Sequence, residues 1–526
     1  MNYLHIELPS LHLLWEKNGE SRVCSVIRTN YPKPSLLHVS ALMRSAYADV
    51  KVIDMKIRNQ DCIIPYREFT YEGGKMIASR MGMPFESVIE EIKWAEVIGL
   101  SINPTSWANI AIDFIKFAKK TNPKVKIWIG GTDAMARHQF YLENGADLII
   151  LGEAENLVAD LVKHDYNSCY LSSKEKNRAL RNLFTPSTGL CCPLNWQTFW
   201  DNVKINKNCN IDHFPIPAID LCHDDIPLWN TPIEGNLPTG AKAPIAFLFA
   251  TRGCNNACDF CNTPIKYGKL RIRNLESIRR ELEFLKSFGI KTICLWDDSL
   301  GSLVRINRKD YLIKLVKMIR KMGFSFEFSQ GISPKDLFDQ KRQEPDYKLI
   351  AELFKHEIID GNFVGCTGEY VPFEFLQVEK TETAAVKLLP YEKEIAVTKA
   401  ILEQGVKWLT FSCIIGRPGD GPAEMQLATS RILEIKQMTE SYGCEVLPTL
   451  FIYSLFPGTR LWEITRPNLL PYHVNDYPEL YQLNATPHGT YFFTADELMD
   501  EKTKMEKAIL RPDQCEKWWK SGRYQW

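Results

Sequence analysis

Cys254, Cys258 and Cys261 fall within ATRGCNNACDFCNTP, spaced C-x3-C-x2-C on one loop. Thiolates are soft ligands, so the spacing points first to a metal centre. Structural zinc takes four protein ligands, usually from two separated pairs, and no fourth Cys or His follows nearby. A cubane iron–sulfur cluster wants thiolates; held by three, it leaves one of four irons open to a small ligand such as an amino-carboxylate. That reading leads, with zinc and three unligated loop thiols as alternatives. The rest of the fifteen cysteines are mostly scattered, and Cys294, Cys366 and Cys413 read as small buried hydrophobes.

A second set of residues ends three successive apolar runs. Ser101, Asn103, Thr105 and Ser106 close AEVIGLSI (95–102) and its turn. Gly130, Gly131 and Thr132 close VKIWIGG, and Gly152, Glu153 and Glu155 close ADLIILGEAE. Small polar residues there let backbone amides approach a phosphate or a large planar ligand at the carboxyl ends of strands. Ordinary strand-to-helix turns favour the same residue types, and that alternative stands for any one loop.

The elements that must position these residues are α/β throughout. YLHIEL (3–8), VKVID (50–54) and the three runs above alternate with helical segments at 34–46 and 108–120, with a polar insertion before residue 95. Five such strands predict a doubly wound, Rossmann-like parallel sheet. Residues 166–243 are less periodic and rich in Pro and Gly toward their end, which predicts a connector laid over the surface. Six further strand runs start at 245, 291, 324, 362, 407 and 444, with helical spacing at 275–288, 307–322, 346–357, 390–404 and 421–440 between them. They predict a (β/α)6 partial barrel, whose chemistry belongs at the carboxyl ends of its strands. The thiol loop follows the first of them. The expected divisions are 1–165, 166–243, 244–464 and 465–526. The last is a mainly helical region with a helix near 495–510, closed by Trp518, Trp519 and Trp526 as a packed end or a lid.

The 526 residues carry 64 Lys and Arg against 64 Asp and Glu. Zero net charge argues against a nucleic-acid binder. No run of 18 apolar residues occurs, so no membrane span is expected. No signal peptide is read at the N-terminus, and with odd, scattered cysteines this predicts the reducing cytoplasm.

The thiol motif, with Phe260 before its last cysteine, resembles the radical S-adenosylmethionine (SAM) superfamily. Further weak motifs follow in the family's order. Asp297 and Asp298 in LWDDSLG stand where the family binds the methionyl amine. Ser329 and Gln330 end the third barrel strand, and Glu369 ends the fourth, where a polar residue meets the ribose or amino-acid part. Ile415 and Gly416 in IIGRPGD resemble the motif beside the adenine, and LFPGT (455–459) resembles the closing loop. VIGLSIN, IWIGGTDA and LIILGEAEN resemble the cobalamin-binding domain of one large radical SAM class. The D-x-H-x-x-G motif that supplies an axial histidine in many cobalamin proteins is absent, and His5, His12 and His38 lack its context.

The resemblance implies a cobalamin-dependent radical SAM methyltransferase. Its cofactors would be a 4Fe–4S cluster on Cys254, Cys258 and Cys261, SAM on the barrel residues above, and cobalamin on the N-terminal loops. An unactivated carbon of a small molecule or peptide would be methylated after hydrogen abstraction by a 5′-deoxyadenosyl radical, with flavodoxin or ferredoxin as electron donor. Cobalamin-assisted oxidation, ring contraction or cyclisation is the alternative within the fold, and a non-catalytic cobalamin or iron–sulfur redox sensor is the alternative outside it. The absent histidine motif predicts cobalamin with neither its own base nor a histidine on the lower face. Trp107, Trp296, Tyr453 and Trp462 are the aromatic candidates for the cavity.

Overall fold

The computed structural model describes residues 1–25, 33–46, 48–155, 190–191, 210–229, 242–256, 258–373, 389–465 and 472–510. Trp518, Trp519 and Trp526, and most of the expected connector at 166–243, lie outside these residues.

The first sheet holds the five expected strands, Asn2–Glu7, Asp49–Asp54, Val97–Ser101, Lys126–Gly130 and Leu148–Ile150, all parallel, in the order 2-1-3-4-5. Leu190–Cys191 adds an antiparallel edge strand from the connector. The order reverses between Asn2–Glu7 and Val97–Ser101, and open sheets of this kind bind ligands in the crevice beyond such a switch point. The helix Ala108–Thr121 buries Ile110, Ala111, Phe114, Ile115 and Ala118 against the sheet, at the spacing of one helical face.

The polar insertion and the segment after the first strand together hold structure that the sequence reading did not anticipate. Ser10–Lys17, Glu20–Ser25, Ile63–Tyr71 and Gly74–Met81 form a four-stranded antiparallel sheet. Its hairpins turn at Asn18-Gly19 and Glu72-Gly73, all four residues at positive φ. Such turns match the twist of the flanking strands.

The second sheet runs Ile245–Leu248, Thr292–Leu295, Ser325–Phe328, Asn362–Pro372, Trp408–Ile415 and Glu445–Ile452, parallel and in chain order. The expected helix at 346–357 stops at Phe354. His356–Ile359 instead forms an extra antiparallel strand on Asn362–Pro372, turning at Asp360-Gly361. The helices cover one face; Lys309–Lys321 buries Leu312, Leu315, Val316 and Ile319.

The connector is more than a surface strap. Ile219, Cys222, Ile226 and Trp229 join the barrel's buried core, and the Ala218 N–H donates to Leu37 of the first domain. The helix Ala495–Ile509 buries Leu498, Met499, Met505 and Ile509 in the other main core. It is tied to the antiparallel sheet by Lys17–Asp496 and Arg22–Asp500 ion pairs, so this helix is a packed wall.

Candidate functional site

Beyond Leu248 the chain enters the thiol loop through Thr251–Arg252, paired antiparallel with Arg271–Ile272. This clasp closes the loop at its base. Gly253 has φ +87°, and a Cβ there would lie 2.5 Å from the Lys269 carbonyl oxygen, so glycine alone lets the two sides meet. Inside the loop the Cys254 N–H donates to Gly268, the Cys261 N–H to the Cys258 carbonyl, and the Asn256 N–H to the Cys254 sulfur at 3.4 Å. Amide hydrogen bonds to sulfur are among the features that tune an iron–sulfur centre. The far side is fastened to the end of the last barrel strand. Tyr453 Oη donates to Asp259 at 3.0 Å, Leu461 N–H donates to the Asp259 carbonyl, and the Phe260 and Tyr453 rings meet edge-on. The loop thus spans from the first strand of the open barrel to its last.

Cys254 is buried, while Cys258 and Cys261 are half-buried. Among the described residues no three Cys, His, Asp or Glu side chains gather about one point as a single metal ion would require. A cubane makes no such demand, because each thiolate binds its own corner iron. Three cysteines on a tied loop therefore fit the cluster and do not fit mononuclear zinc.

The strand-end polar residues take partners that the sequence reading did not foresee. Asp297 is buried, and one oxygen accepts from Ala250 N–H, Thr251 N–H and the Thr251 hydroxyl, fixing the strand-to-loop junction. Its other oxygen has no hydrogen-bond partner among the described residues. Burial pushes its carboxyl up to about 7 against the opposing pull of those bonds. Asp298 is exposed and accepts from the Gly253 N–H and, at 3.4 Å, from Thr263. Glu369 lies on the same side of its strand as Val371 and Phe373, in the core beneath the helices. It is 1 % exposed, accepts from Ile332 N–H at 2.7 Å, and is held well above the usual carboxylate range by burial. Ile415 also packs on the helix side, leaving Ile414 to face the barrel interior. Gly416 admits Leu498, whose Cδ2 would lie 2.6 Å from a Cβ there. Ser329 donates to Glu327, and Gln330 is exposed. As placed here, Asp297, Glu369 and Ile415 are framework under the site, while Asp298 and Ser329 remain on its surface.

Asp297→Ala should therefore cost stability by leaving two buried N–H groups unpaired, about 1–3 kcal/mol for each such group. Asp297→Asn, which keeps an acceptor, should cost less. Because the folded carboxyl sits above its unfolded value, its contribution is present below about pH 4 and is lost as pH rises through about 7. Thermal melts from pH 5 to 8 should show that slope in the wild type and a flatter one in the Asn variant.

In the first domain a cavity of about 780 Å³, counting its open mouth, lies between the sheet and the helix Pro34–Ser45. Ser101, Gly130, Gly131, Gly152 and Glu153 line it, and Phe249, Arg252 and Tyr267 close it from the barrel side. A Cβ on Gly130 would meet nothing within 4 Å, so this strand end opens directly into the space, whereas one on Gly131 (φ +106°) would strike the Ile102 carbonyl at 2.4 Å. Asn103 is a hub: Thr132 donates to it, and so does Lys266 from the thiol-loop side. Glu153 receives Arg271 at 2.6 Å and Arg252 at 3.3 Å, tying the cavity wall to the loop clasp. Thr105 and Ser106 are buried, and the Thr105 hydroxyl donates to Asp133, so they shape the turn from within. His5 and His38 line the cavity and are kept neutral by burial, each pushed down to about 3; His12 lies on the antiparallel sheet.

Of the barrel's inner face the sequence reading named only Trp296. Phe247, Trp296, Glu327, Tyr370, Thr410 and Ile414 alternate with helix-facing residues and are half-buried, in contrast to those fully buried neighbours. With these side chains only partly buried, the interior is a cleft and not the filled core of a closed barrel.

Residues 21–162 match the B12 binding domain family and residues 248–333 the Radical SAM superfamily. An uncharacterized methyltransferase of Pyrococcus horikoshii is 23 % identical over 463 residues, covering 86 % of this chain and 82 % of that protein. Cytidylyl-2-hydroxyethylphosphonate methyltransferase of Streptomyces wedmorensis is 22 % identical over 344 residues; the match covers 62 % of this chain and 61 % of that relative's length. Two solved structures of TsrM, a radical S-adenosylmethionine methyltransferase from Kitasatospora setae, share the fold. One, with cobalamin and a [4Fe-4S] cluster bound, has TM-score 0.53 at 14 % identity over 88 % of this chain and 77 % of that one. The other, with tryptophan substrate and a SAM analog bound, has TM-score 0.56 at 13 % identity over 98 % and 90 %.

Proposed function

We propose that this chain, which joins a B12-binding domain to a radical SAM domain, is a cobalamin-dependent radical SAM methyltransferase acting on an unactivated carbon. The observation that carries the proposal is a three-thiol loop clasped to the mouth of an open barrel, with the Glu153–Arg271 pair and the Asn103–Lys266 bond joining it to a glycine-lined cavity. Cys254, Cys258 and Cys261 would hold the cluster, the barrel mouth SAM, and the cavity the nucleotide tail of cobalamin. Bound there, these groups supply one-electron cleavage of SAM and a transferable methyl group. The chain's own part is to fix the loop through Asp297, Asp259 and Tyr453, and to shield the cleft from bulk water.

Residues 1–165, 166–243, 244–464 and 465–526 are the working divisions of this reading. A flavodoxin or ferredoxin would deliver the electron. None of the ten cysteines whose side chains are described is in a disulfide, which suits the cytoplasm. No helix among the described residues is long and apolar enough to cross a membrane.

The test supplies the anaerobically reconstituted protein with methyl-deuterated SAM, a reductant and a small-molecule extract of the source cells. A product that gains the intact deuterated methyl group is expected. Formation of 5′-deoxyadenosine with no deuterium transfer would instead favour oxidation or cyclisation.

His5 and His38 sit in the cavity wall, where the Ser40 hydroxyl engages His5. Both are buried, and burial holds both rings neutral. Electron paramagnetic resonance of the cob(II)alamin form should therefore show no nitrogen hyperfine splitting. A resolved splitting would place an imidazole or the cofactor's own base on cobalt.

A further inference from the structure

One register row crosses all six barrel strands: Phe247, Cys294, Glu327, Gly368, Trp408 and Glu445. Phe326 and Phe328 pack beneath the helices, so Glu327 between them projects into the cleft. It is half-buried. One oxygen accepts from the Cys294 thiol at 3.2 Å and the Ser329 hydroxyl at 2.9 Å. No Lys, Arg or His among the described residues pairs with it. The absence runs deeper than one contact, because none of the six barrel strands contains a basic residue.

The walls beside Glu327 are aromatic. Phe247 on the first strand and Trp296 just past the end of the second meet edge-on at 4.7 Å. On the other flank Gly368 lies opposite Glu327, and a Cβ there would come within 2.8 Å of the Trp408 ring. The missing side chain is what lets Trp408, itself buried and packed with Leu447, lie over the row. A carboxylate between aromatic faces, with no cation of its own, suits a ligand that brings one: the carboxylate offers a charge-assisted hydrogen bond and the rings a cation–π surface.

We propose that Glu327 anchors the substrate through an ammonium or similar cationic donor group, and that the substrate carries an apolar or aromatic body against Phe247, Trp296 and Trp408. This names the substrate class for the methyltransferase reading and rests on it. SAM has its own candidate contacts at the cluster's open iron and the strand ends above this row.

The test uses the full-length protein loaded with cluster and cobalamin, and three probes of one shape: phenethylammonium, 2-phenylethanol and 3-phenylpropionate. Binding is read by calorimetry, with no turnover needed. In the wild type, phenethylammonium should bind at least about tenfold more tightly than the phenylpropionate anion, with the alcohol between them, a gap of about 1.4 kcal/mol. Glu327→Gln should bring the three within about threefold while iron and cobalamin content stay at wild-type levels. No preference for the cation in the wild type overturns the proposal whether or not the variant folds. A preference that survives Glu327→Gln overturns it too. Loss of SAM affinity in the variant overturns it by assigning Glu327 to SAM. Failure of the methyltransferase reading would appear separately, as 5′-deoxyadenosine formed by the wild type without transfer of the deuterated methyl group to any product.

Discussion

Cys258→Ala protein, reconstituted anaerobically with iron and sulfide, should form no 5′-deoxyadenosine above background when given SAM and a strong reductant. The expectation follows from ligand number. Three thiolates are the whole protein donor set of the loop, so removing one leaves a cubane held at two corners and a second iron open. The fold should survive, because the loop is held by bonds that do not involve the Cys258 thiol: Asp297 to Thr251, Asp259 to Tyr453, and the clasp of Thr251–Arg252 on Arg271–Ile272. Iron content should therefore fall while the melting temperature of the unreconstituted protein stays put. Cys62→Ala, at a half-buried thiol in the antiparallel insertion, is the control and should keep the activity. Wild-type 5′-deoxyadenosine production by Cys258→Ala would remove the cluster assignment altogether.

The parallel strands were legible because buried parallel strands read as short apolar runs ended by Gly, Ser, Thr or Asn. The same property hid the faces. In WLTFSCII nearly every residue is apolar or small, so whether Ile414 or Ile415 looks into the barrel is settled only by the helix Pro422–Ser441 packing on one side. Glu369 shows a second limit. A register shift between the third and fourth strands accompanies its turn to the helix side, and no sequence pattern announces it. Glu327 was readable and overlooked. SFEFS alternates polar with Phe, and strict alternation in a strand expected to be apolar on both faces signals one wetted face. The antiparallel insertion was readable too, since Asn18-Gly19 between alternating runs is a strong hairpin signal. What no single chain position records is partnership over distance. Asp297 holds the start of the thiol loop 46 residues away, and Glu153 meets an arginine 118 residues on.

Gly130→Trp should abolish cobalamin loading and leave the iron–sulfur cluster in place. Gly130 ends a central strand, pairs with Ser101, and its carbonyl accepts from the Ile102 N–H. None of that backbone bonding needs glycine, and its φ is not among the positive ones. A Cβ there meets nothing within 4 Å because the direction it takes leads into the cavity. An indole would fill the space the nucleotide tail needs, and close-packed walls formed by strand and helix yield little to an overlarge group. Affinity for cobalamin should drop at least about a hundredfold, near 2.7 kcal/mol, with the melting temperature of the cobalamin-free protein little changed. Gly131→Trp separates blockage from unfolding. At φ +106° its side chain would strike the Ile102 carbonyl, so that variant should lose stability as well as cofactor. The two halves of the proposed chemistry should also come apart in Gly130→Trp. SAM cleavage to 5′-deoxyadenosine depends on the thiol loop and should persist, while transfer of the deuterated methyl group should vanish. Wild-type cobalamin content in Gly130→Trp would mean that the tail lies elsewhere, and the glycine-ended strands would then be ordinary turns.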